Sequence, residues 1–130
     1  MPSADEGFFD SGMVKESLKE IQEMQMKVLL FTSYAEYAPL SEHRRHIDLM
    51  KKLLEKQKNM YYRMSFSKDP EAKSMMADVE GHFRENGYDV EPGNAFHIFD
   101  EVMEDVEEGF KTIQRELGDG DENGPGKFIF

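Results

Sequence analysis

The chain has 130 residues, no cysteine and a formal net charge of −11. That length carries one domain with a modest core, and the lack of cysteine excludes a disulfide framework or thiolate metal ligation. The charge opposes direct binding to nucleic acid or to an anionic membrane surface, both polyanions, and suits a basic protein partner, or none, better. The acidic start (Met1 to Glu6) shows no secretory signal, and the longest apolar run, Val28 to Phe31, is far short of a membrane span. The cytoplasm is the expected compartment.

The first predicted helix follows Phe9-Asp10, with Asp10 as its cap and Phe9 packing on Val14 as a hydrophobic staple. Its apolar stripe is Val14, Leu18, Ile21, Met24, Val28 and Phe31, in steps of three and four, and it should end before Pro39. Met26, Leu29, Leu30 and Tyr34 fall outside that stripe, so a single packing contact cannot cover this helix.

Ser41 is the expected cap of the second helix, with Glu42 at the positive end of its dipole. The seam of Ile47, Met50, Leu54, Gln57, Tyr61 and Met64 keeps a three-four alternation, and its one polar member can fix register at a cost in packing. Asp69-Pro70-Glu71 opens the third helix, which carries Ala72, Met76, Val79 and Phe83 and stops at Asn86-Gly87. Asn94 should cap the fourth, with Phe96, Phe99, Met103, Val106, Phe110, Ile113 and Leu117 as its stripe. Residues 118–130 read as a flexible, acidic, glycine-rich tail ending in Phe128-Ile129-Phe130, an apolar cluster suited to binding a partner.

The expected fold is all-α. A helical hairpin plus two further helices forms a bundle or coiled-coil-like domain over residues 1–117, completed by pairing into a homodimer or higher homo-oligomer. Charge is uneven: residues 42–64 hold seven basic side chains, whereas 100–108 hold six acidic ones and no base. These flanks either set helix pairing or are simply solvated faces, the commoner case.

Two patterns suggest metal ligands. Glu42 and His46, four residues apart, share one helix face, but the Glu-x-x-His motif of dimetal bundles is absent, and a solvated helix start is the plainer explanation. Asp119, Asp121 and Asn123 with Gly124 match the first half of a calcium loop, whose twelfth position falls on Phe130 instead of glutamate. No serine lies in a nucleophile elbow and no glycine-rich loop has phosphate-binding spacing, so no enzyme activity and no cofactor are expected. The ten methionines read first as core filler, although their softness would suit adaptable binding.

Three blocks, Phe8-Phe9-Asp10-Ser11, residues 53–63 and Ser67-Lys68-Asp69-Pro70-Glu71-Ala72, resemble the family called domain of unknown function 1825. These are small proteins of cyanobacteria and their phages. The likeness spans residues 8–117, with departures at Gly12, in the leader and in the tail. It implies a source and a helical fold and carries no reaction. The expected function is a non-enzymatic adaptor or regulator that binds a host or virion protein. The alternatives are an acidic mimic of nucleic acid that inhibits a DNA- or RNA-binding protein, and a carboxylate-histidine metal protein.

Overall fold

The computed structural model describes residues 7–116, which form α1 (Gly12–Thr32), α2 (Leu40–Ser65), α3 (Pro70–Glu85) and α4 (Phe96–Glu116). Among the described residues there is no strand, only an isolated bridge between Glu91 and Asn94. The all-α helical bundle is therefore as expected. Leu117 and the tail 118–130 lie outside the described residues.

The longest helix, α2, is the spine on which the other three pack. α1 runs antiparallel to it: Arg63 bonds Ser17 near one end, Lys56 pairs with Glu20, and Phe31 stacks on His46 near the other. α4 is also antiparallel, with Lys58 reaching Asp100 and Arg44 reaching Glu107. The shorter α3 meets the C-terminal half of α2, where Tyr61 faces Glu80.

The apolar stripes explain this packing. Val14, Ile21, Val28 and Phe31 of α1 are buried, as is the whole α2 seam and the α3 stripe. On α4 Phe99, Val106, Phe110 and Ile113 are buried, joined by Ile98 and Val102, while Phe96 and Met103 are half-buried. Gln57 is fully buried in this apolar interior, and neither atom of its amide finds a hydrogen-bond partner among the described residues.

Three helix starts differ from expectation, while α1 ends before Pro39 as expected. Ser11 caps α1, its hydroxyl accepting from the Val14 amide, whereas Asp10 accepts from the Gly7 amide at 2.9 Å and closes a 3-10 turn, Phe8–Asp10. α1 stops at Thr32, well before Pro39. The Thr32 and Ser33 hydroxyls donate to the Leu29 and Leu30 carbonyls at 2.6 and 2.7 Å, local bonds that compete with helix continuation, and a 3-10 turn Ala35–Tyr37 follows. α2 begins at Leu40 with Pro39 at the cap, the Pro39 carbonyl accepting from the Glu42 and His43 amides, so Ser41 is already helical. The Ile98 and Phe99 amides in the first turn of α4 bond the Ala95 carbonyl, and Asn94 belongs to the bridge instead.

The α3 signals hold. Asp69 caps the helix through Oδ1 to the Glu71 amide, and its Oδ2 accepts from the Phe8 amide at 2.6 Å, tying the 3-10 turn before α1 to the start of α3. At the far end Gly87 takes a φ of 91°, a conformation that favours glycine and closes the helix.

Candidate functional site

With Val14, Ile21, Val28 and Phe31 turned to α2, helical spacing places Met26 and Leu30 on the opposite side and Leu29 beside them. Met26 is 59% exposed, Leu29 52% and Leu30 59%; Tyr34, two residues past the helix end, is 46% exposed and sets its ring edge-on to Phe31. The apolar surplus of the first helix, Met26, Leu29 and Leu30, therefore stands on its solvent side. Three lysines and three glutamates make α1 neutral, in contrast to the chain's −11.

Beside this face, at the hairpin end, lies a shallow notch whose lining includes Lys27, Phe31, Tyr34, Glu42, Arg45 and His46. The His46 ring stacks on Phe31 with centroids 4.2 Å apart, and His43 Nε2 lies 3.0 Å from the Ala35 carbonyl oxygen. Both histidines are buried, which corrects the expectation of a solvated helix start: aromatic packing against Phe31 takes them out of water. Glu42 and His46 do share this notch. Among the described residues, however, no group of three histidine or carboxylate side chains is placed to hold a metal ion. The other predicted site residues, Asp119, Asp121, Asn123, Phe128, Ile129 and Phe130, lie outside the described residues.

Across α2 from α1, the unlike charges meet within the chain. Arg44 donates to both Glu107 oxygens, at 2.7 and 2.9 Å, and to Asp48, while its guanidinium lies 4.5 Å from the centre of the Phe110 ring. Lys51 adds a 3.0 Å bond to Glu107. The Arg44 bonds first, and the Lys51 bond second, hold the Glu107 carboxyl down at about 2, and the same carboxylates push the Arg44 guanidinium further up. Asp105 accepts from the Tyr88 hydroxyl, and Glu108 pairs with Lys111. Four of the six acids in residues 100–108 are thus engaged internally.

A buried polar knot, missed from sequence, joins α2, α3 and the loop before α4. The Tyr61 hydroxyl donates to Glu80 Oε2 at 2.6 Å and accepts from the Ala95 amide at 3.2 Å, while the Gly93 amide donates to the same carboxylate oxygen at 2.9 Å. Glu80 sits beside the α3 stripe, and nothing in its spacing shows that a tyrosine stands opposite. Burial first, and the Glu80 bond second, push the Tyr61 hydroxyl well above the usual tyrosine range.

A family model described as Domain of unknown function (DUF1825) matches residues 6–108, most of the chain. The chain belongs to this family. The DUF1825 match contains the whole outward face of α1 and the α2–α4 charge pairs through Glu107. No curated protein and no solved structure matches the chain.

Proposed function

We propose that this DUF1825 protein is a non-enzymatic helical interaction module, an adaptor or regulator that works by docking the outward face of α1 on another polypeptide. The observation that carries this reading is the exposure of Met26, Leu29 and Leu30 on a neutral helix of an acidic chain, with Tyr34 exposed just past its end. Exposed apolar patches of that kind mark docking surfaces more often than they mark catalysis. Cytoplasmic action fits the reading, and no helix among the described residues is long and apolar enough to cross a membrane. A cyanobacterial or phage setting, with a host or virion protein as partner, is part of this proposal.

Tagged chain and its Leu30→Glu variant, used for affinity capture from the native host, test the reading. A protein held by the first and lost from the second, with melting unchanged, supports it; identical capture by both contradicts it. The tail cluster Phe128-Ile129-Phe130 is a second docking element in this proposal. Deleting residues 119–130 should weaken capture without lowering the melting temperature. The nucleic-acid mimic draws less support, because most of the α4 acids are engaged within the chain.

A further inference from the structure

Granting that the outward face of α1 is a docking surface, we propose that its occupant is the same face of a second copy. The two α1 helices lie antiparallel about a two-fold axis near Met26.

Charge selects this occupant. The chain carries −11, yet α1 is neutral, whereas α4 holds seven carboxylates against two cations. Two copies that meet through α1 keep their α4 helices on the far sides of α2, so the repulsion between like-charged chains is weakest in this arrangement. A strongly basic partner would instead gain most at α4.

Helical arithmetic makes the face self-complementary. In an antiparallel pair centred on Met26, residues lie level when their numbers sum to about 52. Met26 then meets its own counterpart, and Leu30 lies over the aliphatic stem of Gln22 in the second copy. Glu23 comes within one turn of Lys27 of the second copy, on the same flank, and the two-fold axis repeats that pair. Both residues are exposed, and neither has an ion-pair partner among the described residues of its own chain. Lys19 falls level with Ser33 of the second copy, beside the last carbonyls of its α1. The last turn of α1 carries no cation of its own, so this contact supplies the charge that the helix dipole favours.

The area limits the strength. Half-exposed Met26, Leu29 and Leu30 offer on the order of 300 Å² of side chain per copy, well under half of what each partner gives to a standard interface. Flanking polar residues enlarge this, and an interface of this size makes a weak, reversible dimer.

The native chain has no cysteine, so single substitutions report the geometry cleanly. Sedimentation equilibrium of the full chain should show a monomer–dimer equilibrium, and Leu30→Glu should weaken it by about tenfold or more by burying an unpaired charge. Under mild oxidation Met26→Cys should form a disulfide-linked dimer, whereas Lys15→Cys, some 33 Å from its counterpart in this register at 1.5 Å per residue, should not. A monomer at all concentrations, a dimer indifferent to Leu30→Glu, or cross-linking of Lys15→Cys as fast as Met26→Cys overturns the proposal. Circular dichroism of each variant separates misfolding from lost association. A monomer whose residue 30 still binds a different protein refutes the second copy alone, while a residue 30 that touches nothing refutes the docking surface itself.

Discussion

Replacing Tyr61 by Phe tests the buried knot that fixes α3 and the α4 start against α2. The ring is fully buried, so the variant keeps its packing and loses one oxygen that serves two bonds. Glu80, itself only 5% exposed, loses a hydroxyl donor at 2.6 Å and keeps the Gly93 amide, while the Ala95 amide loses its acceptor. A stranded buried group costs about 1–3 kcal/mol, more when charged, so Tyr61→Phe should lower unfolding free energy by about 2–4 kcal/mol in a urea titration. The pH dependence has a definite sign. The Tyr61 hydroxyl titrates higher in the folded chain than in the unfolded one, so its contribution is complete below about pH 10 and is lost as pH rises beyond that value. Tyr88, raised by burial first and its bond to Asp105 second, adds in the same sense. The wild type should therefore lose stability above about pH 10 more steeply than Tyr61→Phe. A loss below about 0.5 kcal/mol, or identical alkaline slopes, would refute the energetic reading of this knot.

Leu54, 1% exposed at mid-seam, should cost about 2–5 kcal/mol when cut to alanine; denaturation showing under about 0.5 kcal/mol would place it outside the core. Gln57→Met keeps volume and helix propensity while removing a buried unpaired amide, so stability should rise by about 1–3 kcal/mol, and a clear loss would show the amide satisfied in solution. Glu107, held at about 2 in the folded chain, contributes stability above about pH 4.5 that is lost as pH falls toward 2. Glu107→Gln should flatten that acid limb by a small amount, since the pair is about one-third exposed, and an unchanged limb would count against the pairing.

Much of the fold is legible in the sequence because its signals are local. Asp69-Pro70 and Asn86-Gly87 bracket α3 through caps and backbone preferences that depend on adjacent residues alone. The three-four stripe of α2 marks its buried face without knowledge of any neighbour. The misread starts are cases of close competitors: Ser11 beside Asp10 at α1, and Pro39 beside Ser41 at α2. The polar interior is less legible because its partners are distant in sequence. Burial of His43 and His46 depends on Phe31, and burial of Glu80 on Tyr61, neither of which helical periodicity reveals. At the site, sequence singles out the surplus Met26, Leu29, Leu30 and Tyr34, and the structure adds the direction they face.

That face is the centre of the account, and a photo-activatable side chain at position 30 interrogates it most directly. Incorporated in the full-length chain in its native host, it should yield adducts with a polypeptide, a second copy being the expected one. The same group at Glu104 on the acidic outer side of α4 serves as the control. Adducts at 104 with none at 30 would contradict the claim that the outward face of α1 is where this protein works.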